Sequence, residues 1–198
     1  MTRTVRIIGA GAAVGIALLL VRKAVASGRS DPRGLPADLE PWRRSLVECA
    51  RRHVEERTLY QWGGGHHGPS WGLDCSGLII DCAGAAGFSA DGWGSARMWA
   101  ELPRVDEPQP GDIASYAPRH VVLVESWDPA TQTATIIGSN GGDSSTTTPE
   151  RAIEQGAFVR REPTHLYRQT FRGFSSLRPL VEGSFRPTGP YSPYPVDN

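Results

Sequence analysis

One short segment, Trp71-Gly-Leu-Asp74-Cys75-Ser76-Gly77-Leu78-Ile79-Ile80, constrains this chain more than any other. It places a cysteine directly after an acid, at the start of an apolar run rich in small residues that predicts a helix. Asp74 suits the N-cap of that helix, and Gly87 suits its end. A thiol at a helix N-terminus faces unpaired N–H groups and the positive end of the helix dipole, which favours the thiolate. The segment therefore predicts a helix that carries a cysteine nucleophile.

The composition is that of a folded domain with terminal extensions. The chain has 198 residues, of which 39% are hydrophobic and 21% charged, and its formal net charge is +0. Without a basic, aromatic-interleaved stripe, nothing indicates nucleic-acid binding. The cysteines are Cys49, Cys75 and Cys82. An odd number argues against a disulfide framework, and Cys49 and Cys82 fit packed thiols on helix faces.

The N-terminus predicts export or membrane association. The apolar run at 7–21 is short for a spanning helix and typical of a signal peptide, and 24–26 has the A-x-A cleavage pattern. Arg22 and Lys23 follow the run, and by the positive-inside rule they favour a domain on the cytoplasmic side. We expect residues 1–26 to be a signal peptide or an anchor of a cell-envelope protein, secreted, periplasmic or membrane-anchored. A cytoplasm-facing anchor or a buried helix is the alternative.

After a polar linker at 27–36, the pattern predicts helices first and strands second. Helices are predicted from Ala37 or Pro41 to Arg57, and at 74–87, 95–102 and 148–156. Strands are predicted at 113–116, 121–127, 133–137, 158–161 and 170–177. This order predicts an α+β domain over 37–177, with the nucleophile helix packed on an antiparallel sheet. The Pro-rich segment 178–198 is predicted to be an ordered lead-in at most and then a flexible tail.

Two groups of polar residues have simpler interpretations. The charged residues off the apolar stripe of the first helix are predicted to form a solvated face: Arg43, Arg44, Arg51, Arg52, Glu55 and Glu56. His66 and His67 lie in a glycine-rich loop and are predicted to be rim residues of a cleft. Their spacing does not match a zinc site with Cys75 and His120, so no metal and no cofactor are expected.

A cysteine nucleophile needs a base and a group that orients the base. His120 is the candidate base, because it stands immediately before the apolar strand at 121–124. The orienting group is expected after the next strand, where Asn140 is the candidate. Ser139 and Asp143 remain alternatives.

Three residues are candidates for substrate binding. The Tyr60 hydroxyl can help to hold an oxyanion or the substrate, together with backbone N–H groups at the start of the Cys75 helix. Asp74 can cap that helix or bind the free amine of a substrate. Ser76 flanks the thiol on the other side.

Four blocks of the chain resemble the NlpC/P60 cysteine peptidases in order and approximate spacing. The blocks are Tyr60-x-Trp62-Gly63-Gly64, Asp74-Cys75-Ser76-Gly77-Leu78, Pro110-Gly111-Asp112-Ile113 and His120-Val121-Val122-Leu123-Val124. The resemblance spans 41–177. It implies a papain-like α+β fold and a cysteine peptidase that hydrolyses peptidoglycan stem peptides, typically after γ-D-glutamyl, through a thioester.

The resemblance also implies residue roles. The residues that match Cys75 and His120 are the nucleophile and the base in this family, and those that match Tyr60, Asp74 and Ser76 line the substrate site. Many members carry a histidine as the third catalytic residue. The matching stretch here, 136–140, has no histidine, which leaves Asn140 as the candidate.

The leading hypothesis is therefore an exported or membrane-tethered peptidoglycan endopeptidase that acts as a monomer. A CHAP-like amidase that cuts between sugar and peptide is the second enzymatic hypothesis. A wall-binding or phage-tail module with a decayed site is the alternative from another class. A cytoplasmic enzyme acting on a small peptide, or a toxin, is the remaining one.

Overall fold

The computed structural model describes residues 34–66 and 70–184. The predicted N-terminal signal or anchor, His67 and most of the predicted tail lie outside these ranges. Within the described ranges, no helix is long and apolar enough to cross a membrane.

The described residues form short helices around one sheet. The helices are α1 (Pro41–Glu55), α2 (Cys75–Ala85), α3 (Ser95–Glu101), α4 (Pro149–Gln155) and α5 (Arg178–Val181), with a 3₁₀ turn at His165–Tyr167. The strands are β1 (Arg104–Val105), β2 (Ile113–Tyr116), β3 (His120–Asp128), β4 (Thr133–Asn140), β5 (Phe158–Glu162) and β6 (Phe171–Ser175). The predicted α+β class, helices first and antiparallel strands second, is confirmed.

The sheet has the strand order β1-β6-β2-β3-β4-β5, and every pair is antiparallel. Strands β2 to β5 form a meander, while β6 returns to pair with β2. Strand β4 continues three residues past its predicted end at Ile137, because Asn140 still pairs with Phe158 of β5. Asn140 is therefore a strand residue rather than a loop residue.

Each face of the sheet carries a buried apolar cluster. Because side chains alternate along a strand, β3 contributes to two apolar clusters. Val121 and Leu123 pack with α1 and α2 on one face. Val122 and Val124 pack on the other face, in a cluster that includes Tyr116. The beginning of β3 is thereby held from both sides.

The prediction that Arg43 lies on a solvated face of α1 is wrong, because this residue is only 3% exposed. Its guanidinium donates to the Asp112 carboxylate at 2.8 Å and to the Pro110 carbonyl at 3.1 Å. Gly111, at φ +92°, lies between these partners, and a Cβ there would lie 3.2 Å from the Arg43 Cβ. The Pro-Gly-Asp turn thus packs on α1 and holds its buried charge.

The same prediction is wrong for Arg51. Its guanidinium donates to Glu125 at 2.6 Å, and Arg161 donates two further hydrogen bonds to the same buried carboxylate. Glu125 lies 74 residues from Arg51 in the chain. Helical periodicity carries no information about such a distant partner.

We expect Arg43→Met and Asp112→Asn each to lower the free energy of unfolding by about 3–5 kcal/mol. Arg43→Met leaves the buried Asp112 carboxylate without its charged partner, and Asp112→Asn leaves the buried Arg43 guanidinium with the more exposed Glu40 carboxylate instead. The double variant should lose less than the sum of the two. Denaturant unfolding at pH 7 measures these values. Arg151→Met is the control: it breaks an ion pair whose side chains are 47% and 65% exposed, and it should cost less than about 1 kcal/mol. A cost for Arg43→Met no larger than the control would contradict the prediction.

Candidate active site

Helix α2 begins at Cys75, with Asp74 as its N-cap, as predicted. The Asp74 carboxylate accepts hydrogen bonds from the Gly77 amide at 2.7 Å and from the Ser76 hydroxyl at 3.1 Å. The helix ends at Ala85, shortly before Gly87. The cap makes Cys75 the first helical residue, which directs its side chain to the end of the helix.

The glycine-rich loop at 63–65 lies directly on the start of α2. The Asp74 amide donates to the Gly64 carbonyl at 3.2 Å. A Cβ on Gly77 would lie 1.8 Å from that same carbonyl oxygen, so no larger residue fits without moving the loop. This close approach accounts for the glycine after Cys75 and Ser76.

His66 is not a rim residue, so that prediction is wrong. It is 6% exposed, and its Nε2 lies 3.1 Å from the Asp74 carboxylate and 3.0 Å from the Ser76 hydroxyl. The loop folds the imidazole inward over the helix cap, an arrangement that residue spacing does not predict. Asp74 and Ser76 are therefore tied to the protein itself at the point where the sequence predicts substrate contacts.

The Cys75 thiol is buried at the beginning of β3. It is 8% exposed, its Sγ lies 4.0 Å from the Arg119 carbonyl oxygen, and the nearby Val121 backbone acts to lower its pKa. Burial raises the pKa of this thiol to about 12, and the negative charge of Asp74 acts in the same direction. The expectation that the helix terminus yields a thiolate is therefore wrong for the free protein, because desolvation outweighs the helix dipole.

His120 begins β3, so the two predicted catalytic residues come to the same end of one strand. The sulfur contact is with the backbone on either side of His120 rather than with its ring. On one side His120 pairs with Tyr116, at 5.7 Å between ring centroids. On the other side, Leu123 of β3 pairs with Ile137 of β4. Continuing this register by three residues places Asn140 opposite His120.

A residue that the sequence did not reveal holds the His120 ring. The Tyr167 hydroxyl lies 3.0 Å from His120 Nε2 and donates to Asn140 Oδ1 at 3.4 Å. Tyr167 ends the 3₁₀ turn, 47 residues after His120 in the chain. It stands between two predicted strands in a segment with no motif, so no local pattern distinguishes it.

The three predicted orienting candidates have different positions. Asn140 is 1% exposed and belongs to the hydrogen-bond chain with Tyr167. Ser139 donates to the Leu73 carbonyl at 2.6 Å and ties β4 to the segment before α2. Asp143 is exposed and accepts from the Ser145 amide at 2.7 Å, which shapes the loop after β4.

The chain of three polar groups holds one nitrogen of His120, Nε2, against the Tyr167 hydroxyl. Burial lowers the pKa of His120 to about 3, and the positive charge of Arg168 adds to this effect. Burial raises the pKa of Tyr167 to about 12, so the phenol keeps its proton. While Tyr167 donates to Asn140, its oxygen can accept from the His120 Nε2–H. We assign Nδ1 as the basic nitrogen on this ground.

Tyr60 lies close to the same groups. It is 5% exposed, and its pKa is raised by burial and by the negative charges of Asp74 and Asp143. A Cβ on Gly142 would lie 2.1 Å from its ring, so the loop after β4 packs directly on Tyr60. The hydroxyl stands near the thiol in the region where the sequence predicts substrate binding.

No family model and no curated protein matches the chain. Among solved structures, it is similar to the P60 domain of the M. avium subspecies paratuberculosis antigen MAP1204, with 18% sequence identity and a TM-score of 0.43. The likeness covers 68% of this chain and 96% of that one.

We expect His120 to make folding stability depend on pH. Because its pKa falls from 6.5 to about 3 on folding, the unfolded chain takes up the proton first as the pH decreases. The stabilisation is present above pH 6.5 and is lost as the pH falls towards 3. The free energy of unfolding of the wild type, relative to that of His120→Gln, should therefore decrease by up to about 1.4 kcal/mol per pH unit below 6.5. Denaturant unfolding between pH 7 and 4 measures it, and a constant difference would contradict the prediction.

Proposed function

We propose that this protein is a cysteine peptidase in which Cys75 is the nucleophile and His120 the base. The observation that carries the proposal is the hydrogen-bond chain from Asn140 through Tyr167 to His120, at the start of the strand whose backbone contacts the Cys75 sulfur. An oriented imidazole and a thiol at a capped helix start are the parts that thiol acyl transfer requires.

In the proposed reaction, His120 Nδ1 takes the Cys75 proton as the sulfur attacks the substrate carbonyl. The proton then passes to the leaving amine, and water hydrolyses the thioester. Because the thiol pKa is about 12 and the imidazole pKa is about 3, both groups are neutral in the free protein. Proton transfer therefore accompanies substrate binding or attack. The N–H groups at the start of α2 and the Tyr60 hydroxyl are the proposed donors to the oxyanion.

We infer that the substrate is a peptidoglycan stem peptide, cut after γ-D-glutamyl by a monomer in the cell envelope. The four sequence blocks support this substrate class, and the apolar N-terminal run supports export. Trp62 and Trp71, which are 41% and 37% exposed, lie on the segment before α2. Such rings offer stacking surfaces to a large wall fragment. Asp74 and Ser76 remain the proposed contacts to the substrate near the thiol, in addition to their hydrogen bonds to each other and to His66.

We expect Cys75→Ala to lower the release of peptides from purified peptidoglycan by at least about 10³-fold, because the nucleophile is lost. Cys75→Ser keeps the shape of the side chain and should also be inactive, and thermal unfolding verifies the fold of both variants. Mass analysis of the fragments separates a cut within the stem peptide from the sugar–peptide cut of a CHAP-like amidase. Equal release by wild type and Cys75→Ala would exclude the mechanism. No release by either would favour a wall-binding module.

We expect Tyr167→Phe to lower kcat about 10–100-fold with little change in KM, because His120 loses the hydroxyl that sets its tautomer. The pH dependence of kcat should shift as well, which a purely structural role would not produce. Tyr116→Phe is the matched control. It removes the hydroxyl of a neighbouring buried tyrosine that donates to the His165 carbonyl at 2.7 Å, so it should cost stability but little kcat. Equal losses of kcat in both variants would argue against the orienting role.

A further inference from the structure

A second cluster of reactive side chains lies between α1 and α2, further along α2 than Cys75. Its members are Cys49, His53, Asp81 and Cys82, and one ligand atom from each lies within 4.8 Å of the others. His53 Nε2 is 3.0 Å from Asp81 Oδ2, and Cys49 Sγ is 3.7 Å from the same oxygen. Packed thiols explain the burial of the two cysteines, but they do not explain why a histidine and a carboxylate converge on them.

We propose that these four side chains bind a zinc ion. Two thiolates, an imidazole and a carboxylate are a donor set that Zn²⁺ favours. Zn–S bonds of about 2.3 Å and Zn–N or Zn–O bonds of about 2.0–2.2 Å separate the ligand atoms of a tetrahedron by roughly 3.3–3.8 Å. The cluster is already close to this spacing, so small side-chain movements bring the four atoms onto one ion.

Thr58 holds His53 in the orientation that the site needs. His53 Nδ1 lies 2.9 Å from the Thr58 hydroxyl, which leaves Nε2 facing the cluster. The Thr58 amide also donates to the His53 carbonyl at 3.0 Å, in the turn that ends α1. Metal-bound histidines usually donate their second N–H to an oxygen in this way, and the contact sets the tautomer.

Burial indicates a structural site rather than a catalytic one. Cys49 and Cys82 are 2% and 1% exposed, whereas the Asp81 side chain is 48% exposed and gives the ion a route in. Four protein ligands leave no open coordination position for a substrate. Cys49 and His53 belong to α1, and Asp81 and Cys82 belong to α2. The ion would therefore link the helix that begins with Cys75 to its neighbour.

The test measures metal on the full chain. The protein is reduced, loaded with ZnCl₂, freed of unbound metal by gel filtration and analysed by mass spectrometry for metals. We expect about one zinc per chain and, after Co²⁺ substitution, thiolate-to-cobalt charge-transfer absorption. Cys49→Ser, Cys82→Ser and His53→Gln should each retain almost no metal. Cys75→Ala removes a thiol outside the cluster and should retain the wild-type content.

Two milder variants keep the test decisive where a cysteine or histidine variant fails to fold. Asp81→Asn and Thr58→Val should weaken zinc binding about 10–100-fold in competition with a chelator, with unchanged circular dichroism. Wild-type affinity in both would overturn the proposal. A wild-type chain that retains no zinc would also overturn the proposal. The same holds if Cys49 and Cys82 are found as a disulfide and the chain still binds no zinc once that disulfide has been reduced. Because the readout is metal content, failure of this site leaves the proposed peptidase function unaffected.

Discussion

The arrangement of the site depends on the Asp74 carboxylate at the start of α2. One carboxylate oxygen accepts from the Gly77 amide and the Ser76 hydroxyl, and it lies 3.1 Å from His66 Nε2. These contacts determine where the helix begins, and therefore where the Cys75 sulfur lies relative to β3. The glycine loop that carries His66 packs so closely on this turn that the cap, the loop and helix α2 form one unit.

Burial, rather than the helix terminus, determines the charge of the proposed catalytic groups. A rise of the Cys75 pKa from 9.0 to about 12 corresponds to about 4 kcal/mol. A helix terminus contributes about 0.3–1 kcal/mol to an exposed charge and up to about 2 kcal/mol to a partly buried one, so desolvation dominates. The same burial lowers the pKa of His120. A buried neutral thiol is less open to oxidation than an exposed thiolate.

Helix α1 connects this unit to the rest of the domain through polar contacts that are largely buried. Arg43 binds Asp112 in the turn before β2, and Arg51 binds Glu125 on β3. Cys49 and His53 of α1 face Asp81 and Cys82 on α2. Apolar packing alone would permit small rotations of these helices, whereas each charged pair forms in only one relative orientation of the packed elements. Helix α2 is therefore positioned by groups that are not themselves part of the candidate site.

Local interactions are what the sequence by itself determined. Asp74 as N-cap, Thr148 before Pro149 at the start of α4, and Gly156 with φ +60° at its end are each recognisable within one helical turn. The order of helices and strands follows from the same short-range periodicity, and so does the class of fold.

The tertiary structure decided the contacts between residues that are far apart in the chain. It placed Tyr167 on His120, extended β4 to Asn140 through pairing with β5, and buried Arg43 against Asp112. It also brought Cys49 and Cys82 together with a histidine and a carboxylate. The physical reason is that caps and turns are stabilised by neighbouring residues, whereas these contacts exist only once the sheet register and the helix packing have brought distant segments together.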